Sequence, residues 1–484
     1  MKFSRAQFPP DPARLSTDCP LCNSASSWTR PTEWLTLSAL APTDEKFVGL
    51  LAVYDNNSQY IAFSAAGNYT VDWGDGSAAE NVESGVAAQH QYIFSSISNT
   101  TDVYEVDGLI AKYRQVIVTV TMQSEQSFTG INLQKRHSAQ SASYSAPWLD
   151  IKLNGPLLDT IVISNTGQTV ALKHLEKIEI GVIKNNIANF VYMFHNCHAL
   201  ASVSLFDTSA STNFTGMFQN CHSLLSVPIF NTALGQTFSA MFYGCYSLLS
   251  VPLLNTSSGT NFQNMFGYCS SLKTIPAINT SQGTNFSSMF SYCYAITTIP
   301  LLDTSQGTNF NYMIMFCVSL SDMPLLDTSK ATTVTNMFQG CAALPHIPKL
   351  NTVLCTVFSG MFNGCSSLVY VPQLNTSTGA NFGYMFMNCS ALNEMPALDM
   401  SAATTLTSMF EGCKSLTRSR ITGATKAISY IYCRLSRTEI LEVFNNLGTA
   451  VAGTVITLTG NPDAAALTAD DRLIATNKGW TITI

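Results

Sequence analysis

Between about Leu200 and Leu416, apolar and polar positions alternate in a pattern that repeats with one fixed step. Phe262, Met265, Phe266, Cys269 and Leu272 stand at i, i+3, i+4, i+7 and i+10, with polar or small residues filling most of the gaps. This spacing predicts a short helix of roughly two turns with a single buried stripe. The other half of the unit reads Leu-x-x-Val/Ile-Pro-x-Leu-Asn/Asp, as in Leu248 to Asn255. A β-branched residue ahead of proline predicts a strand, and Pro252, having no N–H to donate, predicts that the strand is brief. Asn255 and its equivalents then offer an amide or carboxylate to the free backbone groups of the next turn.

The cysteines mark the step. Cys197, Cys221, Cys245, Cys269, Cys293, Cys317, Cys341, Cys365, Cys389 and Cys413 lie 24 residues apart without a slip, and a methionine row from Met193 to Met409 keeps the same period. Units of this length cannot bury an apolar side alone, so the pattern predicts a solenoid whose coils share one long core. The segment resembles the leucine-rich repeats of the bacterial surface-protein type, in which a Leu-x-x-Ile/Val strand precedes an Asn and each unit ends on Phe-x-x-Cys. It departs from ordinary leucine-rich repeats in its three-residue spacing between apolar positions and in its proline ladder.

Upstream, period-two segments at Phe47–Val53, Tyr60–Phe63, Tyr69–Trp73 and Val116–Thr121 predict short strands of a β-sandwich. Tyr69-Thr70-Val71-Asp72-Trp73-Gly74-Asp75-Gly76-Ser77, followed by His90-Gln91-Tyr92, resembles the PKD family of Ig-like domains. Asp75-Gly76 supplies the tight turn and Trp73 the core anchor, while Asp72 and Asp75 read as turn caps rather than cation ligands. Uneven strand-like pieces between 126 and 190 read as degenerate first coils that cover the open end of the array.

After Leu416 the period stops. Ser436-Arg437-Thr438-Glu439 predicts a capping box opening a helix that ends at Gly448, and a second helix is predicted from Ala469 to Asn477. Leu435-Ser436-Arg437-Thr438, Leu458-Thr459-Gly460-Asn461-Pro462 and Lys478-Gly479-Trp480-Thr481 resemble the tails of repeat-bearing virion proteins of bacteriophages. The expected fold is mixed and β-rich. An extended arm (1–28) leads to a PKD/Ig-like β-sandwich (29–125) and an irregular N-terminal solenoid cap (126–190). A leucine-rich-repeat-type solenoid of 24-residue coils (191–420) and an α/β C-terminal cap (421–484) follow.

Composition narrows the function classes. Only 11% of the 484 residues are charged, the formal net charge is −6, and no Lys/Arg run exists. Nucleic acid is thereby a poor partner. No apolar run approaches the roughly 18 residues of a membrane span, and the first residues lack the apolar core of a secretion signal. Ten of the 14 cysteines sit on the apolar stripe, where parallel Cβ vectors favour buried free thiols over a disulfide row. Cys19-Pro20-Leu21-Cys22 has no second pair nearby and reads as incidental.

No nucleophile elbow, phosphate loop, carboxylate pair or metal spacing is present, so no enzyme, cofactor or metal is expected. What remains is surface. At about 100° per residue from the helix Phe, Tyr243, Tyr268, Tyr292, Tyr312 and Tyr384 fall between roughly 140° and 240°, away from the core stripe. Such tyrosines on a neutral, hydroxyl-rich ridge suit a sugar or a protein partner, with neighbour packing the plain alternative. The reading is a non-enzymatic structural protein of a bacteriophage particle, of tail-fibre, receptor-binding or capsid-decoration type. It would attach to other virion proteins through its arm, be displayed on the particle exterior and bind host-surface glycan or protein, with a homo-oligomer such as a trimer left open. The alternatives are a bacterial leucine-rich-repeat surface adhesin and, further off, a glycan-processing enzyme.

Overall fold

The computed structural model describes residues 28–55, 59–98, 102–106, 109–140, 146–164 and 172–484. The Cys19/Cys22 pair and nearly all of the arm lie outside them.

The chain begins with two facing sheets. One is built from β1 (Lys46–Tyr54), β3 (Tyr69–Asp72), β4 (Glu80–Val82), β6 (Asp102–Val106), β7 (Leu109–Met122) and β9 (Trp148–Asn154). The other holds β2 (Gln59–Ala66), β5 (Ala87–Tyr92), β8 (Gly130–Asn132) and β10 (Thr160–Val162). Inward residues of both meet in an aromatic centre in which Phe63 lies 6.2 Å from Phe47, 5.6 Å from Trp73 and 6.3 Å from Trp148. The Trp73 turn is closed from within: Asp72 and Asp75 accept the backbone N–H groups of Gly74 and Ser77. His90 stacks on Trp73 and sits 2.8 Å from Asp75, and the Tyr92 hydroxyl donates to the Trp73 carbonyl.

Both sheets change direction where the solenoid begins. β9 is antiparallel to β1 but parallel to β11 (Lys177–Ile180), which is parallel to β12 (Ser202–Val203). In the facing sheet β8 is antiparallel to β2 and parallel to β10. The first sheet thus hands its hydrogen-bonding edge directly to the coils through β11 and β12.

From there the chain is a solenoid of stacked coils held by two lines of parallel bridges. One line runs Asn189–Asn213–Thr237–Asn261–Asn285–Asn309–Thr333–Val357–Asn381–Thr405, each step 24 residues. The other includes Ser250–Thr274, Thr298–Asp322 and His346–Tyr370. It is held to single-residue contacts, with a proline two residues beyond each of these bridged positions, from Pro252 to Pro372. Each Asn or Asp from Asp207 to Asp399 closes its corner by accepting the N–H two residues on, as Asn255 does from Ser257. Buried threonines beside them donate to the next coil, as Thr256 does to the Asn279 carbonyl at 2.6 Å.

The helix predicted over Phe262–Leu272 is not formed, and the reason is visible in its N–H groups. Those of Phe262, Asn264, Phe266 and Tyr268 leave the coil and donate to Asn285, Ser287, Met289 and Ser291 of the next one, at 2.7 to 2.9 Å. Those of Met265, Gly267 and Cys269 close three-residue turns onto Phe262, Asn264 and Phe266. Asn264 and Tyr268 hold φ at 56° and 61°, which no right-handed helix allows. Successive turns return every third or fourth side chain inward and so imitate helical spacing. A helix about 10 Å thick would also force the coils apart on that side. Instead Phe218, Phe242, Phe266 and Phe290 stack at 5.7 to 5.8 Å with nearly parallel rings.

The main core is a continuous cluster from Phe47 to Trp480, and a smaller one on the first sheet gathers Trp34, Leu37, Val48 and Leu50. The ten ladder cysteines are fully buried and unpaired, and each from Cys221 to Cys413 directs its thiol to the carbonyl 27 residues earlier, as Cys269 does to Phe242 at 3.1 Å. Burial pushes the Cys293 thiol up to about 12.

The far end closes with β13 (Leu398–Asp399) on β14 (Ile421–Thr422) and a parallel sheet of β15 (Ile428–Ser429), β16 (Thr454–Thr457) and β17 (Trp480–Thr483). Two helices, α1 (Arg437–Asn446) and α2 (Ala469–Thr476), flank it. Ser436 caps α1, but the Glu439 carboxylate faces Arg418 at 3.6 Å instead of returning to the Ser436 N–H, so half of the predicted capping box forms. The full box is at Thr468/Asp471 on α2. The tail motifs have structural work here: Asn461 ties Leu435, Tyr430 and Leu458 together, and the Lys478 ammonium caps the last carbonyls of α1.

Candidate binding surfaces of the solenoid

Every coil carries two residues at positive φ, four apart, one row from Tyr192 to Ser408 and the other from Asn196 to Gly412. Such a φ costs little for Gly and modestly for Asn, and roughly 1–3 kcal/mol for a bulky side chain. The second row reads Asn196, Asn220, Gly244, Tyr268, Tyr292, Phe316, Gly340, Gly364, Asn388, Gly412. Seven positions follow the backbone's preference, and three adjacent coils override it with an aromatic ring.

Those three rings form one stack. Tyr268 and Tyr292 lie 4.3 Å apart, Tyr292 and Phe316 5.1 Å, and Tyr243 meets Tyr268 edge-on at 5.1 Å. The stack ends on Gly340, where any Cβ would come within 2.4 Å of the Phe316 ring. Ring faces are covered by one another, so the surface presents ring edges and hydroxyls. With Gln219, Asn264 and Ser288 these tyrosines line a shallow depression of 360 Å³ in which no residue carries a charge. Burial, together with the neighbouring phenols, pushes the Tyr243 and Tyr268 hydroxyls up to about 12. They remain neutral donors and acceptors at any physiological pH.

Of the five tyrosines singled out from the sequence, the fold brings Tyr243, Tyr268 and Tyr292 together. Tyr312 follows Ser288 by one coil in the first positive-φ row and is 37% exposed; Tyr384 stands three coils beyond it at 45%. The helical spacing does not single out Phe316, Asn264, Gln219 or Ser288; the aromatic run stands out only where the copies are aligned in register, in a row otherwise made of Asn and Gly.

A second, larger concavity of 1420 Å³ runs along a different corner of the coils. Leu301 and Leu325, 70% and 64% exposed, stand on one side of it, and Asp303 and Asp327 line it in the same two coils. Hydrogen bonds from Ser305 and Ser329 lower both carboxyls, so neither is held as an acid that could donate a proton. Among the described residues no cluster of metal-ligating side chains occurs, and no helix is long and apolar enough to cross a membrane.

The family described as "Mycoplasma protein of unknown function, DUF285" matches residues 173–275, 237–346 and 308–423, together just over half of the chain. No curated protein matches it. Similar solved structures include a TLR13–ssRNA13 complex (15% identity, 69% of this chain and 50% of that one, TM-score 0.23). Another is the plant peptide hormone receptor RGFR1 in complex with RGF2 (13% identity, 66% and 58%, TM-score 0.21). The chain thus spans between half and six-tenths of the length of these structures.

Proposed function

Since the chain belongs to the DUF285 family, whose description assigns no activity, we propose a function from the geometry: a non-enzymatic display protein whose leucine-rich-repeat-type solenoid of 24-residue coils presents a binding surface. The observation that carries this reading is the division of labour within the repeat. Met and Cys are unchanged in all ten copies, whereas the outward positive-φ positions differ from coil to coil and gather Tyr268, Tyr292 and Phe316 against the backbone's preference. Core positions answer to the fold; in the first positive-φ row the departures from Gly and Asn, such as Tyr192, Tyr312 and Tyr384, are scattered, whereas in the second they are all aromatic and fall in three adjacent coils, a clustering that the fold does not require.

We further infer that the two N-terminal sheets are a PKD-like Ig domain serving as spacer, and that the protein is displayed on the exterior of a bacteriophage particle, attached through its N-terminal arm. The turn at Trp73 and the C-terminal motifs support that placement by resemblance. The ligand on this reading is a host-surface glycan or protein. The second reading, a bacterial surface adhesin, takes its support from the family's Mycoplasma description. Peptide mass analysis of purified phage particles, paired with binding of the full chain to host cells, tests the choice. Chain peptides in the particle and saturable cell binding are expected. Their presence only in the bacterial envelope fraction selects the adhesin, and absence of any cell binding defeats both.

A further inference from the structure

We propose that the depression lined by Tyr243, Tyr268 and Tyr292 is a binding site for an uncharged oligosaccharide lying along the solenoid axis; this rests on the display reading above and names the ligand class of its surface. Three features converge on that chemistry. The lining residues carry no charge, which disfavours an ionic ligand, since an anion or cation entering the site would lose solvation without gaining a partner. The groups on offer are phenol hydroxyls, the amides of Asn264 and Gln219 and the hydroxyl of Ser288, each able to donate and accept, which is what a polyol requires. Phenol hydroxyls stand in three successive coils, on Tyr243, Tyr268 and Tyr292, whose rings lie 5.1 and 4.3 Å apart, so the site extends along the axis as a chain-like ligand does.

Pre-organisation strengthens the case. Each ring is fixed by its neighbours in the stack, and Phe316 by Gly340 behind it, so binding orders no new rotamers. A protein partner would draw its energy from apolar faces, and here those faces are spent within the stack.

The test uses the full chain on an array of neutral, sialylated and sulfated oligosaccharides, with calorimetric titration of the hits. The double variant Tyr268→Phe and Tyr292→Phe keeps the stack and removes two hydroxyls. Retention of neutral glycans by the wild-type chain, unaffected by salt up to about 0.5 M, and a loss of at least tenfold in the double variant at unchanged Tm are expected. Binding confined to sialylated or sulfated glycans, equal binding by the double variant, or no glycan binding would each overturn the proposal. If host-cell binding persists while no glycan binds, the display function stands and only the ligand class assigned here falls. If neither occurs, both fall.

Discussion

Tyr268 occupies a backbone conformation that Asn or Gly adopts in the equivalent position of seven other coils, and the ring interactions with Tyr243 and Tyr292 offset the strain. Two terms of similar size oppose each other: about 1–3 kcal/mol for the backbone and about 0.5–1.5 kcal/mol per aromatic pair. Replacing Tyr268 by Asn therefore leaves stability within about 1 kcal/mol of the parent, whereas Tyr268→Val, β-branched at positive φ and without a ring, loses about 2 kcal/mol or more. Chemical denaturation of the two variants measures the difference, and equal stabilities would show that the strain argument is wrong. His222 gives a second residue-level test. It stacks between His198 and Tyr246 at 4.3 and 4.6 Å, and burial, with His198 beside it, lowers its imidazole to about 4. The unfolded chain binds that proton near the ordinary value of about 6.5. Its contribution to stability is therefore intact above about 6.5 and is lost as pH falls toward 4. His222→Tyr, which extends the Tyr246 stack without a titrating group, should lose less Tm between pH 7 and 4.5 than the parent does.

At the scale of the coil, the period of 24, the buried cysteine row and the proline-shortened strand are all legible in the sequence, because each follows from one side chain's chemistry repeated in phase. The turn ladder is not. An apolar spacing of three and four residues fits a helix and a run of tight turns equally well, and the choice is made by where the N–H groups go, which depends on a neighbouring coil 24 residues away. The positive φ of Asn264 and Tyr268 was the missing clue, readable in the Asn/Gly content of those rows but hidden where aromatics replace them. For the same reason the outward clustering of Tyr243, Tyr268 and Tyr292 is partly readable from their distance to the core stripe, while Phe316 and the flanking amides are not. Since each coil contacts its neighbours through the same bonds, deletion of residues 342–365 rejoins the chain in phase. It should leave a cooperative fold with Tm lowered by only a few degrees. Deletion of residues 342–353 puts Cys365 and every later core row out of register and should abolish the cooperative transition, as followed by circular dichroism.

At the scale of the whole molecule, the strands of the N-terminal unit and the helices of the C-terminal one could be read locally, but the manner of their joining could not. Gly130–Asn132 is antiparallel to Ser64–Ala66 and parallel to Thr160–Val162, a pairing that no local pattern encodes. The outcome is a main core that runs unbroken from the N-terminal sheets to the C-terminal cap, with twelve described cysteines buried and unpaired along it. Sealed at both ends, that core should shield them all: iodoacetamide applied to the native protein and followed by peptide mapping should leave the ladder cysteines unmodified, and denaturant should expose them together. Early labelling of Cys413 or Cys197 alone would show that an end of the array frays.

The bonds between coils run along the long axis of the array, so a load applied between its two ends acts on them in line, one coil at a time. Each detached coil would release a slack of about 80 Å, the extended length of 24 residues. Under tension the chain should therefore yield in small, evenly spaced steps, which single-molecule force spectroscopy would record as a regular sawtooth. A tether built this way would lengthen under drag and shorten again when the pull stops, without letting go at either end.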